Sequence, residues 1–227
     1  MFAREGYMVI AVTWLVVAVI VVAVWLVPGL RNWIRVFVTG ATVIGLGLFV
    51  LYFFRDPART PPPGAESLLL SPADGKVIAV EAAQEPFFPD GQAQRVSIFL
   101  SVLDVHVNRA PADGVIDRAD YIPGGFLFAW HPKASEENER SSLGLVHPTG
   151  QRVVFNQVAG GVARRIAFHL VPGDSVSAGQ RYGIIRFGSR LDVYVSPSVP
   201  LFVRVGDRVR AGETVLGRLD VPIPGIQ

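Results

Sequence analysis

The stretch Gln180-Arg-Tyr-Gly-Ile-Ile-Arg-Phe-Gly-Ser-Arg-Leu-Asp-Val-Tyr194 predicts two consecutive β-strands. An apolar residue recurs at every second position, at Tyr182 and Ile184 in the first run and at Leu191 and Val193 in the second. This period is typical of strands, because successive side chains point to opposite faces. The glycine between the two runs predicts a tight turn, since glycine adopts backbone conformations that other residues avoid.

Short apolar runs of the same kind extend along the chain after residue 64. Glycine, proline and aspartate separate these runs at close spacing, a pattern typical of all-β domains. The runs cover residues 76–80, 95–100, 114–121, 151–157, 164–170, 182–187 and 191–195. We therefore predict a mainly β domain, similar to a sandwich or a barrel.

One internal repeat supports a β fold. Gly173-Asp-Ser-Val-Ser-Ala-Gly179 recurs as Gly206-Asp-Arg-Val-Arg-Ala-Gly212, and each copy predicts a turn, one inward valine and a second turn. The pattern resembles the hammerhead-type hairpins of biotinyl and lipoyl domains, so one alternative is a membrane-anchored adaptor of that type with no catalytic activity. A carrier of that type needs a lysine at the hairpin tip, and neither Lys76 nor Lys133 lies near a repeat.

The first part of the chain contains two long apolar segments. Neither segment, 8–27 or 36–54, contains a charged residue, and the connection between them carries Arg31 and Arg35. Each segment is long enough to cross about 30 Å of hydrocarbon as a helix. A signal peptide is the alternative, but the first segment is too long and no small-residue cleavage site follows it. We predict a membrane-anchoring helical hairpin over 1–56 and a catalytic domain over 57–227.

The arginines around the hairpin give two readings of its topology. Arg4, Arg55 and Arg59 favour a cytoplasmic catalytic domain at the cell membrane, whereas Arg31 and Arg35 argue against it. A shallow hairpin that does not cross the bilayer satisfies both groups, so a spanning and a shallow hairpin both stay open.

Composition excludes several functional classes. The chain has no cysteine, so thiolate chemistry and disulfides are excluded. Its net charge is only +2 and no basic run interleaves with aromatic residues, so we expect no nucleic-acid partner. A zinc peptidase is a third alternative, but the four histidines are scattered along the chain, so we expect no metal.

Four stretches, taken together in order, carry a family resemblance. They are Phe54-Arg-Asp-Pro57 with Ser71-Pro-Ala-Asp-Gly-Lys76, Leu103-Asp-Val-His-Val-Asn-Arg-Ala-Pro111, Gly124-Gly-Phe-Leu-Phe-Ala129 with Lys133-Ala-Ser-Glu-Glu-Asn-Glu-Arg140, and the region from Val158 to Phe187-Gly-Ser-Arg190. Their order resembles that of the phosphatidylserine decarboxylase proenzymes. The Gly-Ser-Arg sequence is similar to the short bacterial and archaeal form, and it departs from the Leu-Gly-Ser-Thr of the longer form.

The resemblance implies a self-cleaving decarboxylase. Ser189 attacks the carbonyl of Gly188, the chain separates into residues 1–188 and 189–227, and Ser189 becomes a pyruvoyl group. That covalent cofactor forms a Schiff base with the serine headgroup of phosphatidylserine and takes up electrons as CO2 leaves, which yields phosphatidylethanolamine. The implied partners are a phospholipid substrate, the membrane and the two fragments of the chain, which stay associated; a homo-oligomer is also compatible.

The resemblance also identifies candidate catalytic residues. A serine hydroxyl needs a base to take its proton, and His106 is the candidate base. Asp104 lies two residues away in a strand-like run, where it shares a face with His106, and Asp74 lies in a Pro-Ala-Asp-Gly turn. Either aspartate is a candidate for the carboxylate that orients His106, and an Asx turn is the alternative role of Asp74.

Arginines and aromatic loops are the candidate contacts with the lipid. Guanidinium groups suit phosphate and carboxylate, so Arg109, Arg140 and Arg164 are candidate substrate-binding residues. The aromatic segments 126–130 and 87–88 are candidates for contact with the membrane interface, and packing in the core is their alternative role.

Overall fold

The computed structural model describes residues 1–161, 166–185 and 189–221. The chain divides into two compact units, Met1–Pro57 and Ala58–Gln227. The first unit is helical and the second is mainly β. The mainly β fold and the N-terminal pair of apolar helices predicted from the sequence are both confirmed.

Two apolar helical segments make up most of the first unit. Helix α1 spans Tyr7–Leu26 and helix α2 spans Asn32–Thr42, and a π-helical turn, Val43–Leu48, continues α2 into α3, Phe49–Phe53. Both segments are long and apolar enough to cross a membrane. Val17, Val50 and Phe53 are the buried large apolar side chains of these segments, and the others are exposed or half-buried, which is compatible with helices in contact with lipid.

The two segments pack side by side as a hairpin. Gly29, with φ +71°, reverses the chain between them. The Trp25 indole N–H donates to Thr39 Oγ1 at 3.1 Å. Gly47 allows the close approach, because a Cβ there would lie 3.0 Å from the ring of Trp14.

The second unit contains thirteen strands within the described residues. They are β1 (Leu68–Leu70), β2 (Gly75–Gln84), β3 (Gln92–Leu100), β4 (Val107–Arg109), β5 (Gly114–Ile122), β6 (Arg140–Val146), β7 (Arg152–Val158), β8 (Ile166–Phe168), β9 (Ser175–Val176), β10 (Arg181–Ile185), β11 (Ser189–Val195), β12 (Arg208–Val209) and β13 (Val215–Arg218). One short helix, α4 (Ala134–Glu137), precedes β6. Each apolar run predicted as a strand contains one. Strands β1, β4, β6 and β13 lie outside those runs and outside the repeat; β6, the longest of them, was missed because serines and a glycine interrupt its apolar residues.

Three antiparallel sheets organise these strands. The largest has the order β12-β2-β3-β11-β7-β6-β5-β9, and smaller sheets have the orders β4-β10-β8 and β1-β13. The two strands predicted around Gly188 therefore belong to different sheets, so they do not pair with each other as a hairpin would. Residues 186–188, where the turn was predicted, lie outside the described residues.

Strand β11 lies inside the large sheet and separates its two faces. Leu191, Val193 and Val195 point to the main hydrophobic core, which we call the inner face. Tyr194 points the other way and packs with Phe87 and Phe88 on the outer face. Both faces are buried, which is why no residue of β11 is exposed.

The glycine-bounded repeat corresponds to two equivalent structural units. Each repeat pairs with its own Pro-Ala-Asp-Gly turn; copy A joins residues 72–75 to 206–212, and copy B joins residues 111–114 to 173–179. In copy A the N–H of Gly206 donates to Val77 and the N–H of Val77 donates to Asp207, both at 2.9 Å. The corresponding bonds of copy B join Gly173, Ile116 and Asp174 at 2.7 and 2.9 Å.

The two copies meet at their last glycines. A Cβ built on Gly179 would lie 3.6 Å from the Cα of Gly212, and the reverse distance is 3.2 Å. Both glycines have positive φ, +79° and +72°, so both are left-handed turn residues. The repeat detected in the sequence is therefore half of a larger duplicated motif.

Candidate active site

Ser189 is the first residue of β11 and faces the inner core. It lies opposite Leu100 of β3 and is in phase with Leu191, and both of those side chains belong to the inner core. The Ser189 side chain is fully buried, and its hydroxyl has no hydrogen-bond partner within the described residues. A hydroxyl group is thus held in an apolar row without a structural bond to occupy it.

Two contacts place His106 at the same end of the large sheet: its short link to the end of β3 and its main-chain hydrogen bond to the end of β10. Strand β3 ends at Leu100, opposite Ser189, and a short turn leads from there to His106. The His106 carbonyl accepts from the N–H of Ile185, the last residue of β10, at 3.2 Å. His106 therefore lies between the strand that pairs with Ser189 and the strand that precedes it in the chain.

The ring of His106 is buried and oriented by the main chain. Its Nδ1 lies 2.9 Å from the carbonyl oxygen of Asp104. Because a carbonyl only accepts, Nδ1 carries the proton in this bond, and Nε2 is then the basic nitrogen. This is the tautomer that a general base acting through Nε2 requires.

Both predicted carboxylates have structural partners. The Asp104 carboxylate accepts from the Ser101 N–H at 2.9 Å and from the Ser101 hydroxyl at 2.7 Å. The Asp74 carboxylate accepts from the Ala211 N–H at 2.8 Å and from the Arg59 guanidinium at 2.7 Å. The prediction that Asp104 and His106 share the face of a strand is wrong, because residues 104–106 lie in the turn before β4. Asp104 contacts His106 through its main-chain carbonyl, and its side chain closes the preceding turn.

The environment of Asp74 disfavours its charged form. Burial raises the pKa of Asp74 above its ordinary value, and the charge of nearby Asp104 acts in the same direction. The bonds from Ala211 and Arg59 oppose that rise. Both predicted aspartates lie in the same region of the molecule, because Arg208, which pairs with Lys76 two residues after Asp74, lies 3.9 Å from the Asp104 carboxylate.

The candidate arginines are dispersed. Arg109 pairs with Arg181, at the end of β10 far from Ser189, and its guanidinium donates to the carbonyl of Gly179 at 3.0 Å. Arg140 starts β6 opposite Val158, which also pairs with Arg190 of β11.

Arg140 therefore lies at the Ser189 end of the large sheet, two strands from β11. Its guanidinium donates to the carbonyl of Glu136 at 2.8 Å, which ties it to α4. Arg164 and Gly188, both named from the sequence, lie outside the described residues.

Three buried polar residues near Ser189 were not identified from the sequence. The Ser141 hydroxyl donates to Gln157 Oε1, and Gln157 Nε2 donates to Asn108 Oδ1, both at 2.8 Å. Asn108 lies two residues after His106, and this alternation was the only sequence signal that could have identified it.

A second polar group lies on the outer face of β11. The Arg190 guanidinium donates to Asp192 and to the Ser97 hydroxyl, each at 2.7 Å, and the Ser135 hydroxyl of α4 donates to the other Asp192 oxygen. All four side chains are buried. Because its charges are paired and bonded, this group has a structural role, in which it joins α4 to the sheet.

The two aromatic segments behave differently. Phe87 and Phe88 are buried in the outer-face core, so they are not surface residues. Phe128 and Trp130 are 57% and 61% exposed, and their rings stack at 4.6 Å. Trp130 also contacts the ring of Phe99, which pairs with Arg190, so this exposed aromatic loop lies at the Ser189 end of the sheet.

No group of three or more histidine, cysteine or acidic side chains that could hold a metal ion occurs within the described residues.

Comparison with known proteins gives one consistent family. The family model for phosphatidylserine decarboxylase matches residues 46–217. The phosphatidylserine decarboxylase proenzyme of Salinibacter ruber is 58% identical over 78% of each chain. That of Symbiobacterium thermophilum is 52% identical over 79% of this chain and 83% of its own. That of Nitrosomonas eutropha is 42% identical over 94% of this chain and 93% of its own. The matched region contains Ser189, His106 and the polar residues around them, and the chain belongs to the phosphatidylserine decarboxylase family.

Proposed function

We propose that this protein is a carboxy-lyase that converts phosphatidylserine to phosphatidylethanolamine after cleaving its own chain between Gly188 and Ser189. The observation that carries the proposal is the burial of the Ser189 hydroxyl on the inner face, with no hydrogen-bond partner among the described residues, at the end of the sheet where His106 is held with Nε2 as its basic nitrogen. The adaptor alternative is not favoured, because it leaves this arrangement without a role and because the relatives are named as decarboxylase proenzymes.

Cleavage proceeds through an ester. His106 Nε2 accepts the Ser189 proton while Oγ bonds to the carbonyl carbon of residue 188, and the C–N bond to residue 189 breaks as its nitrogen is protonated. Elimination then releases residues 1–188 with a free carboxylate. The dehydroalanine that remains at position 189 takes up water and loses ammonia, which gives the pyruvoyl group.

The surroundings of Ser189 fit a pyruvoyl group at that position. The site is buried, and within the described residues the hydroxyl makes no bond whose loss would disturb the fold. When formed, the pyruvoyl group supplies the electron sink for decarboxylation in place of pyridoxal phosphate. The protein contributes burial of the reacting carbon and a nearby histidine that can hold or deliver a proton.

The two fragments are expected to stay associated. All of β11 belongs to the small fragment, and it pairs with β3 on one side and with β7 on the other, both of which belong to the large fragment. Strands β12 and β13 add pairs with β2 and β1. Separation would break these ladders and expose the inner core, so cleavage alone does not release the fragment.

We assign substrate binding to the Ser189 end of the sheet. Arg140 starts β6 on the outer face at that end and is the candidate there for the lipid phosphate or carboxylate, since Arg109 is used in copy B and lies further away. The exposed aromatic loop containing Phe128 and Trp130 is the candidate contact with the bilayer interface. The apolar helices of the first unit anchor the protein at the cell membrane, and we propose a cytoplasmic β unit.

Intact mass of the purified protein tests the cleavage directly. We expect two species, residues 1–188 and a fragment 189–227 whose N-terminus is blocked to Edman degradation. The Ser189→Ala variant should remain a single chain, and His106→Ala should cleave about 10²- to 10⁴-fold more slowly. A single full-length species in the wild-type protein, or a readable N-terminal serine on the small fragment, would contradict the proposal.

Deletion of residues 1–56 separates anchoring from chemistry. We expect the shortened protein to cleave itself and to decarboxylate a dispersed short-chain phosphatidylserine, with a reduced rate on vesicles. Loss of self-cleavage in folded shortened protein would show that the helical unit is part of the catalytic structure.

A further inference from the structure

The buried chain of side-chain bonds beside Ser189 has a fixed direction. The Ser141 hydroxyl donates to Gln157 Oε1, so the amide of Gln157 presents its Nε2 to Asn108. Asn108 must then accept through Oδ1, which directs its Nδ2 away from Gln157. Asn108 Nδ2 is buried and has no hydrogen-bond partner within the described residues.

Strand register and one hydrogen bond place Asn108 in the same region of the inner face as Ser189. Gln157 lies directly opposite Leu191 on the inner face, and Ser189 is two residues before Leu191 on that face. Ser189 is therefore a diagonal neighbour of Gln157, at a typical separation of about 7–8 Å. Asn108 is in direct contact with Gln157 and lies on the strand that follows His106.

A buried amide N–H without an acceptor is unfavourable unless an acceptor arises during function. Addition of the Ser189 hydroxyl to the preceding carbonyl creates such an acceptor, because the carbonyl oxygen becomes negatively charged as the new C–O bond forms. Donors already aimed at that oxygen stabilise the transition state without reorganising. The inner face supplies one buried donor, Asn108 Nδ2, on an amide that Gln157 holds directly and Ser141 holds through Gln157.

We infer that Asn108 Nδ2 is the hydrogen-bond donor that stabilises the oxyanion during self-cleavage, and that Gln157 and Ser141 are positioning residues that hold its amide in the donating orientation. The inference rests on the proposed cleavage before Ser189. In the complete step the proton of Ser189 passes to His106, the oxyanion forms and collapses, and the C–N bond breaks with protonation of the amine.

The test is the rate at which the newly made full-length protein cleaves itself. We expect Asn108→Ala to slow cleavage by about 10²- to 10³-fold, as removal of one oxyanion donor does elsewhere. Asn108→Asp keeps the shape and the Oδ1 acceptor for Gln157 but lacks the N–H donors when ionised, so it should also be slow. A protonated carboxyl donates again, so the rate of Asn108→Asp relative to Asn108→Ala should rise as the pH is lowered.

Asn156→Ala is the matched control. Asn156 is also buried, and it adjoins Gln157 in β7 but points to the outer face opposite Asp192. We expect it to cleave at the wild-type rate. Gln157→Glu offers a second variant, because a carboxylate at 157 accepts from Asn108 Nδ2 and removes the donor without removing Asn108; it should be slow.

Hydroxylamine identifies the step that is affected. It cleaves the ester formed by the Ser189 attack but not the original amide, so slow Asn108 variants should remain intact in its presence. Accumulation of a hydroxylamine-sensitive ester, or wild-type cleavage by Asn108→Asp, would overturn the inference. Unfolding of each variant in a Ser189→Ala background checks its fold. Failure of the wild-type protein to cleave would refute the proposed function, whereas normal cleavage by the Asn108 variants refutes only the role of Asn108.

Discussion

Copies A and B have the same architecture but different surroundings. In each, the aspartate of Pro-Ala-Asp-Gly accepts from the main chain of the facing repeat: Asp74 from Ala211 at 2.8 Å and Asp113 from Ala178 at 2.6 Å. This shared bond is enough to explain why an aspartate is needed in both turns. A chemical role that belongs to Asp74 alone must therefore come from something that copy B lacks.

The difference lies in a cluster of charges around Asp74. Arg59 joins Asp74 at 2.7 Å and Glu213 at 3.0 Å, so copy A contains a three-residue ion network. Copy B has Gln180 where copy A has Glu213, and its side chain accepts from the Ser177 N–H. Two turns with one backbone structure thus differ in the charges beside the aspartate, and copy B is an internal control for copy A.

The largest expected difference concerns self-cleavage. Asp74 is a predicted candidate for orienting His106, and in that role its replacement in Asp74→Asn should slow cleavage by about 10²- to 10⁴-fold. Asp113→Asn should cleave at the wild-type rate, because asparagine keeps the acceptor for the main-chain N–H in both turns. Gel analysis of the fragments over time measures both rates. Equal rates would assign Asp74 a purely structural role, like that of Asp113.

The next effect is on stability and depends on pH. Arg59→Met removes the cation beside Asp74 and should lower the free energy of unfolding by about 1–3 kcal/mol near pH 7. A carboxyl whose pKa is raised in the folded state contributes stability below its unfolded pKa and loses that contribution as the pH rises through its folded pKa. Burial raises the pKa of Asp74 and Arg59 opposes that rise. Without Arg59 the pKa of Asp74 rises further in the folded state, so the variant should lose more stability than the wild type as the pH rises.

The difference between wild type and Arg59→Met should accordingly be small below about pH 4 and largest near neutral pH. Denaturant unfolding in the Ser189→Ala background measures it on a single intact chain. A difference that does not change with pH would show that Asp74 is not the group that responds to Arg59.

A smaller effect distinguishes the glycines where the copies meet. Alanine at Gly179 or Gly212 must adopt the left-handed backbone conformation of the glycine that it replaces, with φ of +79° or +72°. At Gly179 the new Cβ would also lie 2.8 Å from the rigid ring of Pro61, whereas at Gly212 it would lie 3.1 Å from the flexible side chain of Arg109. Gly179→Ala should therefore be less stable than Gly212→Ala by about 1 kcal/mol. The reverse order would show that the Pro61 segment moves freely.

The smallest effect should be the same in both copies. Gly173 and Gly206 have φ of +97° and +105°, and no atom lies within 4 Å of a Cβ added at either position. Alanine at each position should cost about 1–2 kcal/mol in thermal or denaturant unfolding, equally in the two copies. Unequal losses would show that the two turns are equivalent in geometry but not in energy.

The sequence predicted those features that depend on local pattern. The apolar helices follow from two uncharged segments, and the strands follow from alternation, because both are properties of neighbouring residues. Ser189 and His106 were identified through motifs that surround them. The second Pro-Ala-Asp-Gly turn, at Asp113, was also visible in the sequence, and its pairing with the repeat required the fold.

The rest of the site depends on residues that are distant in the sequence. The bonded group of Ser141, Gln157 and Asn108 depends on tertiary structure. Ser141 and Gln157 are opposite each other because β6 pairs with β7, and Asn108 of β4 reaches Gln157 through a side-chain hydrogen bond. Likewise, the orientation of His106 comes from the carbonyl of Asp104 rather than from a carboxylate, and side-chain chemistry does not reveal a main-chain acceptor. Register and main-chain contacts of this kind are set by tertiary structure.

The proposed cleavage at the first residue of β11 would change the order of the folding reaction. Before cleavage, β11 reaches its place between β3 and β7 by a unimolecular process, since it is covalently joined to both. After cleavage the same native contacts can be regained only by a bimolecular encounter of two chains, one of which is a short peptide. The cleaved protein is therefore expected to keep the structure that it acquired before cleavage and to regain it poorly once the two fragments have separated. Its refolding yield after denaturation should fall on dilution, whereas that of the uncleaved Ser189→Ala protein should not.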